Sequence, residues 1–168
     1  MDLRLRPYRV DDEEAALAIN DAMVADDFTF LLGWNDAITW SDFLRALDDQ
    51  RHGRHLRGDQ VRALQLAADV AGELVGRVSI RFALNDFLAT RGGHIGYGVA
   101  PAHRRRGYAS EILRQALVVI RAEGVSPVLV TCDEKNTGSA RAIERNGGIF
   151  ESTVPDEHGP AIRRYWIW

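Results

Sequence analysis

The chain has one cysteine, Cys132, in 168 residues. A single cysteine excludes an intrachain disulfide and a cysteine-based zinc site within one chain. Long apolar runs are missing too. The longest aliphatic stretch lies near Ala116 to Ile120, far short of the roughly 20 residues a membrane helix needs. The opening MDLRLRPYRVDDEE holds no apolar segment of the secretory-signal type. These absences lead to the expectation of a cytoplasmic protein with no membrane partner. Charge of one sign is also lacking: 21 basic against 24 acidic residues leave a net charge of −3. That balance offers no general attraction for nucleic acid or an anionic bilayer. Two phosphate-binding signatures are absent. No GxxxxGK[ST] occurs, and Gly96-x-Gly98 has no third glycine where a dinucleotide fingerprint requires one. Repeats and low-complexity segments are absent as well.

What is present is an ordinary globular composition, 46% hydrophobic and 27% charged, and a length that suits one domain with a good core. The most informative stretch is Gly92 to Leu113, GGHIGYGVAPAHRRRGYASEIL. Ile95, Tyr97 and Val99 alternate, as a strand requires. Pro101 should stop or splay that strand. From Tyr108 the period changes, and Ile112, Leu113, Ala116, Leu117 and Ile120 make one helical stripe. The turn Arg104 to Ala109 therefore sits at a helix N-terminus, where free N–H groups and the macrodipole favour an anion. Gly107 and Ala109 let a ligand oxygen approach the backbone. Three arginines add positive charge to a mildly acidic protein. The sum is a phosphate or pyrophosphate site, or else a solvated basic turn.

The spacing Arg104-x-x-Gly107-x-Ala109, with GYGVAPAHR before it and a long amphipathic helix after it, resembles the [QR]-x-x-G-x-[GA] coenzyme A loop of the GNAT superfamily of N-acetyltransferases. VTCDEKNTGSARAIERNGG further on is similar to the same superfamily. The resemblance covers roughly the last hundred residues well and the N-terminal part in outline. It implies an α/β (α+β) fold: a mixed, mostly antiparallel sheet with helices on both faces and a splayed central strand pair. It also implies acetyl-CoA as co-substrate and no metal.

The chain in order reads β-α-α-β-β-β-α-β-α-β-β, one domain over 1–168. Leu3 and Leu5 alternate in a first strand that Pro7 ends. Asp11 and Glu14 make a capping-box-like start for a helix over 15–23. An aromatic segment with Phe28, Phe30, Trp34 and Trp40 follows, and Ser41 is placed to cap a helix over 42–51. His52 to Asp59 reads as a surface loop. Strands over 61–67 and 73–82 form a hairpin that turns at 69–72, with Gly76 marking a bulge or close packing. Gly124 stops the helix that begins at Tyr108. Val128 to Cys132 is a buried strand, 138–146 a helix, and 149–154 and 162–168 close the sheet around a DEHGP turn.

By the resemblance, the backbone of Arg105, Arg106, Gly107, Tyr108 and Ala109 would hold a pyrophosphate, with Ser110 at the margin and Arg104 and Arg106 supplying charge. Val99 would offer backbone groups to the pantetheine arm, in the manner of an added strand. Asn136 would bond that arm, or simply cap a helix. The chain departs from the family at Ile143, where many members carry the tyrosine that protonates the leaving thiolate. Ser139 is a candidate in its place. For the general base, His94, Glu73, Asp133 and Glu134 are the candidates. Asn85 precedes the central strand and is a further acceptor-side residue. Phe28 and Trp34 would wall an acceptor pocket, or pack helices. Cys132 reads as a strand cysteine rather than a nucleophile. The expected function is direct transfer of an acetyl group to a primary amine on a small molecule, amino acid, peptide or protein. The alternative is a non-catalytic module that binds coenzyme A or an acyl-CoA; a weaker one is a simple anion-binding domain. A homodimer through the C-terminal strands is a further implication.

Overall fold

The structure is a computed structural model that describes residues 2–157 and 159–168. His158, within the expected DEHGP turn, and Met1 lie outside the described residues. The strands are β1 (Leu3–Arg6), β2 (Ala63–Val70), β3 (Glu73–Arg81), β4 (Ile95–Val99), β5 (Val128–Asp133), β6 (Ile149–Val154) and β7 (Ile162–Ile167). Among the described residues the α-helices are α1 (Glu13–Met23), α2 (Trp40–Arg51), α3 (Tyr108–Ala122) and α4 (Thr137–Arg145). One sheet runs in the order β1-β2-β3-β4-β5-β7-β6. Every pairing is antiparallel except β4 with β5.

Each face of the sheet has its own helices because each has its own apolar set. The stripe of α3, Ile112, Leu113, Ala116, Leu117 and Ile120, is fully buried with Ala140 and Ile143 of α4 against Val78, Ile95, Val130 and Tyr165. On the other face Ala16 and Met23 of α1 and Trp40 and Phe43 of α2 pack on Ala67 and Leu74. Trp34, Trp40 and Phe43 meet edge-on or tilted, with centroids 5.1–5.8 Å apart, a favoured geometry for aromatic groups. Gly76 is a close-packing position. A Cβ there would lie 2.5 Å from the Gly98 carbonyl oxygen and 3.2 Å from Ile112. The ladder shifts register opposite it, between Ala68 and Asp69.

Several boundaries differ from the sequence reading. The cap of α2 is Thr39, not Ser41: Thr39 Oγ1 accepts the Asp42 N–H at 3.1 Å, and Asp42 answers at the Thr39 N–H. α1 has no side-chain cap: Asp12, not Asp11, stands at its N-cap, and Asp12 Oδ2 instead accepts the Arg9 N–H at 2.7 Å across the 3-10 turn Val10–Asp12. β2 runs through Asp69 and Val70, so the hairpin turn is only Ala71-Gly72, both at positive φ. Trp168 is exposed, so it is not core, and Trp166 is half-buried.

Asp12 has a second role. Arg6 at the end of β1 reaches Asp12 at 2.7 Å and Asp69 at 2.9 Å, and all three side chains are largely buried. This pins the start of α1 to the β1–β2 edge. Removing one partner leaves a buried charge short of its counter-ion. Asp12→Ala is expected to lower the unfolding free energy by about 3 kcal/mol in urea titration. A loss under about 0.5 kcal/mol would show that the cluster behaves as a solvated surface pair.

Candidate coenzyme A cleft and acceptor face

β4 and β5 touch at one end only. Their pairing consists of Ile95 opposite Val130. The joint is reinforced just before it: the His94 N–H donates to the Leu129 carbonyl at 2.7 Å, and the Leu129 N–H donates to His94 Nδ1 at 2.9 Å. Beyond Ile95 the strands part. On its other edge β4 bonds β3 through the His94 carbonyl and the Ala100 N–H. Alternation along an antiparallel ladder then turns the backbone groups of Tyr97 and Val99 toward β5, into the gap.

The gap opens into a cleft of about 770 Å³. One wall is β4, with Tyr97, Gly98 and Val99. A second is the start of α3, and a third is α4 with Asn136, Ser139 and Arg141. Met23, Asp26 and Phe28 close the fourth side. The turn before α3 has unusual backbone. Arg105 at φ +62° and Gly107 at φ +81° flank Arg106. Such alternation turns successive N–H groups to one side, as in an anion nest. No described side chain caps α3, so its first N–H groups face the same cleft without a partner of that kind. The donor set fits a pyrophosphate.

Of the residues singled out from sequence, Val99, Arg104, Arg105, Gly107, Tyr108, Ala109, Ser110, Asn136 and Ser139 all line this one cleft. Arg106 does not; its guanidinium reaches back toward the Ala102 carbonyl. Arg104 bridges Val99 and Asp26: its Nε donates to the Val99 carbonyl at 3.3 Å and its Nη2 meets Asp26 at 2.6 Å. Asn136 caps α4, accepting the Ser139 N–H at 2.9 Å.

Phe28 lies over Gly98. A Cβ on Gly98 would come within 2.6 Å of the ring. Trp34 does not line the cleft; it packs against Trp40 and Phe43 under α2. Asn85 lies away from the cleft, where it donates to the Asp59 carbonyl and accepts the Leu88 N–H. Ile143, on the inner face of α4, is wholly buried in the core. Cys132 is buried too. Burial raises its thiol to about 11, which keeps it protonated and a poor nucleophile.

The base candidates separate. His94 is 7% exposed and does not line the cleft. Burial, aided by the Arg81 charge, holds its pKa below the ordinary histidine value. It is a neutral ring whose Nδ1 lone pair is taken by a backbone N–H, which suits a strand clasp and not a base. Glu73 is exposed beside His103, and Glu134 points its backbone N–H at Ala161. Asp133 is the one of the four in the cleft.

Tyr97 is the residue that sequence reasoning passed over. Its side chain packs toward the α3–α4 face, and its hydroxyl accepts from Ser139 Oγ at 3.0 Å and donates to the Ser139 carbonyl at 3.3 Å. Burial pushes the phenol well above its ordinary pKa, so it stays protonated at neutral pH. The alternation of Ile95, Tyr97 and Val99 signals only a core face; the one hint in the sequence is a polar tip on that face.

A depressed histidine pKa makes a definite pH prediction. The folded state binds fewer protons than the unfolded state, so the His94 contribution is present above about pH 6.5, the unfolded value, and is lost as pH falls below it. His94→Ala is expected to lose about 1–3 kcal/mol at pH 7.5 and to flatten the decline of stability below pH 6.5. Its pH profile of kcat/KM should keep the wild-type acidic limb, where protonation of the general base shuts activity off. Loss of that limb would make His94 the general base.

Among the described residues no helix is long and apolar enough to cross a membrane, and no group of three or more His, Cys, Asp or Glu is placed to hold a metal. No curated protein sequence matches the chain. Solved structures of similar fold include Mycobacterium smegmatis RimJ in complex with CoA-disulfide (TM-score 0.73, 22% identity, covering 98% of this chain and 81% of that one). A second is yncA, a putative acetyltransferase from Salmonella typhimurium with its cofactor acetyl-CoA (TM-score 0.65, 18% identity, 99% and 94% covered). A third is a chimera of the Vibrio cholerae spermidine N-acetyltransferase SpeG and hSSAT (TM-score 0.68, 14% identity, 99% and 95% covered). These likenesses show the fold. The family model for the acetyltransferase (GNAT) domain matches residues 2–149, and with that match the chain belongs to the GNAT acetyltransferases.

Proposed function

We propose that the chain binds acetyl-CoA in the β4–β5 gap and transfers its acetyl group directly to a primary amine. The observation that carries this is the meeting of two features in one cleft. The backbone of Tyr97 and the Val99 N–H, turned toward the gap and unpaired with β5, offer a strand-like partner for an extended arm; the Val99 carbonyl is held by Arg104 Nε; and the Arg105–Gly107 turn offers N–H groups for a pyrophosphate. The first feature suits an amide-containing chain and the second an anion. Coenzyme A is a molecule that has both.

Acetyl-CoA supplies a thioester carbonyl carbon that a neutral amine attacks. Most of the rate gain would come from holding the two together. The Val99 N–H is the donor we assign to the developing oxyanion. The amine nitrogen must shed a proton, and we assign this to Asp133, which lines the cleft with Asp26 and Asp27, acting directly or through water. The departing sulfur gains charge at the α4 wall, where Tyr97 and Ser139 hold two hydroxyls. With the phenol pKa pushed up, outright proton transfer from Tyr97 is costly. The Tyr97 O–H, turned from the Ser139 carbonyl to the sulfur while Ser139 Oγ still donates to the phenol oxygen, acts as the hydrogen-bond donor, and the sulfur takes its proton from solvent. This supplies, without a tyrosine at 143, what that position gives many relatives.

Thiol release from acetyl-CoA over a panel of primary amines tests the proposal. Ser139→Ala and Tyr97→Phe are each expected to lower kcat by about tenfold to a hundredfold, with acetyl-CoA affinity within about twofold. Tight acetyl-CoA binding with no release across the panel would favour the non-catalytic acyl-CoA module. Unchanged kcat in both variants would remove the hydroxyl pair from the reaction.

A further inference from the structure

The face of the sheet away from α3 carries a second cavity, about 590 Å³, between α2, the 54–60 loop and strands β2 and β3. Its floor is polar. Gln65, Ser79 and Arg81 project into it from β2 and β3. Gln65 is braced by the Leu32 carbonyl and Gln50, both at 3.2 Å. Two aspartates around the cavity meet cations, Asp42 with Arg45 and Asp49 with Arg54; the Asp59 carboxylate lies 3.5 Å from the Asn85 amide, whose shorter bond goes to the Asp59 carbonyl.

Arg81 is different. Its Nη1 donates to the Gly92 and Gly93 carbonyls at 3.1 and 3.4 Å, and no carboxylate lies within ion-pair distance among the described residues. Burial lowers its pKa. Arg77, four residues earlier in β3 on the same face, shares the condition. It donates to the Gly96 and Thr29 carbonyls, lies 4.6 Å from the Phe28 ring, and leaves its buried Nε without a partner. Burial, with the Arg81 charge adding to it, brings Arg77 down to about 10. Elsewhere in the fold Arg6, Arg54, Arg62, Arg104 and Arg164 each meet an acid. Two desolvated arginines without acids are costly unless something else supplies negative charge.

We propose that this cavity is the acceptor's entrance and that Arg81 binds a carboxylate carried by the acceptor amine. The inference rests on the acetyl-transfer reading above. Arg77 supplies field but not contact, since Phe28 and Gly96 seal it. Arg81 lines the cavity and lies over Gly96, where a Cβ would be 3.2 Å from Nη1. Gly96 precedes Val99 by three residues, about 10 Å along a strand. A carboxylate held at Arg81 therefore suits an acceptor whose amine lies several bonds from its acid group. A second cation on the acceptor would meet the unpaired arginine field and be disfavoured.

The test separates this idea from its parent. Calorimetric titration of CoA-saturated protein uses N-acetyl products in matched sets: N-acetylated ω-amino acids from glycine to 6-aminohexanoate, their carboxamides, and monoacetyl diamines of equal length. In wild type the carboxylates should bind about tenfold or more tightly than the amides. Arg81→Gln should bring that ratio near one, Arg81→Lys should restore part of it, and CoA affinity should stay unchanged in both. Ser79→Asp gives a second route if Arg81→Gln does not fold. An acid beside Arg81 should abolish the carboxylate preference. Amides or diamines binding as well as carboxylates in wild type would overturn the proposal. So would a ratio that survives both Arg81→Gln and Ser79→Asp, or no carboxylate binding to the CoA-loaded protein. Failure of wild type to bind CoA at all would instead strike the parent reading.

Discussion

The rest of the structure depends on β4 and β5 being fastened at one end and free at the other. The fastening is local: one residue pair, Ile95 with Val130, and the two hydrogen bonds between His94 and Leu129. Past that point the apolar side chains of β4 and β5 still share a core with α3 and α4, so the strands part without exposing their buried face. What is exposed is backbone. The Val99 carbonyl, which a continuous sheet would pair, is taken by Arg104 Nε; the Val99 N–H and the backbone of Tyr97 are left for water or a ligand, because a polar group must bond to something. The clasp explains why a buried, neutral histidine sits at this point.

The parted strand then meets the start of α3. Pro101 ends β4, and a short turn brings Arg105 and Gly107 into positive φ before the helix begins. The close approach of β3 at Gly76 leaves no room for a side chain between Gly98 and Ile112, so α3 lies tight on the strand that opens. Arg104 ties this corner to Asp26 on the segment after α1. Both side chains are about half exposed, so the pair adds little to stability. Its effect is to set the helix-start loop and the Phe28 segment beside the same cleft.

Much of this was legible in the sequence for physical reasons. The α3 stripe declares its face by period, and Arg104-x-x-Gly107-x-Ala109 declares a helix start open to an anion. The element order followed from alternation and turn residues. Other features were not legible, because they depend on partners distant in sequence. His94 reads as a reactive side chain at a strand start; its burial follows only once β5, 35 residues on, is laid beside it. Tyr97 reads as a core aromatic until α4 brings Ser139 to its hydroxyl. Trp34 and Phe28 belong to one aromatic run, yet only Phe28 turns over β4, because Gly98 leaves a hole there and nothing local signals it. The α2 cap moved from Ser41 to Thr39 because Asp42 completes a box with Thr39.

The central claim is that the opened strand and the helix start bind one ligand together. Calorimetric titration with acetyl-CoA and with ADP, on wild type and on Gly107→Glu, tests it most directly. The account predicts tight acetyl-CoA binding, much weaker ADP binding because the strand edge goes unused, and no acetyl-CoA binding once glutamate fills the turn. Equal affinity for ADP and acetyl-CoA would contradict the claim for the strand edge. Undiminished binding in Gly107→Glu would contradict it for the helix start.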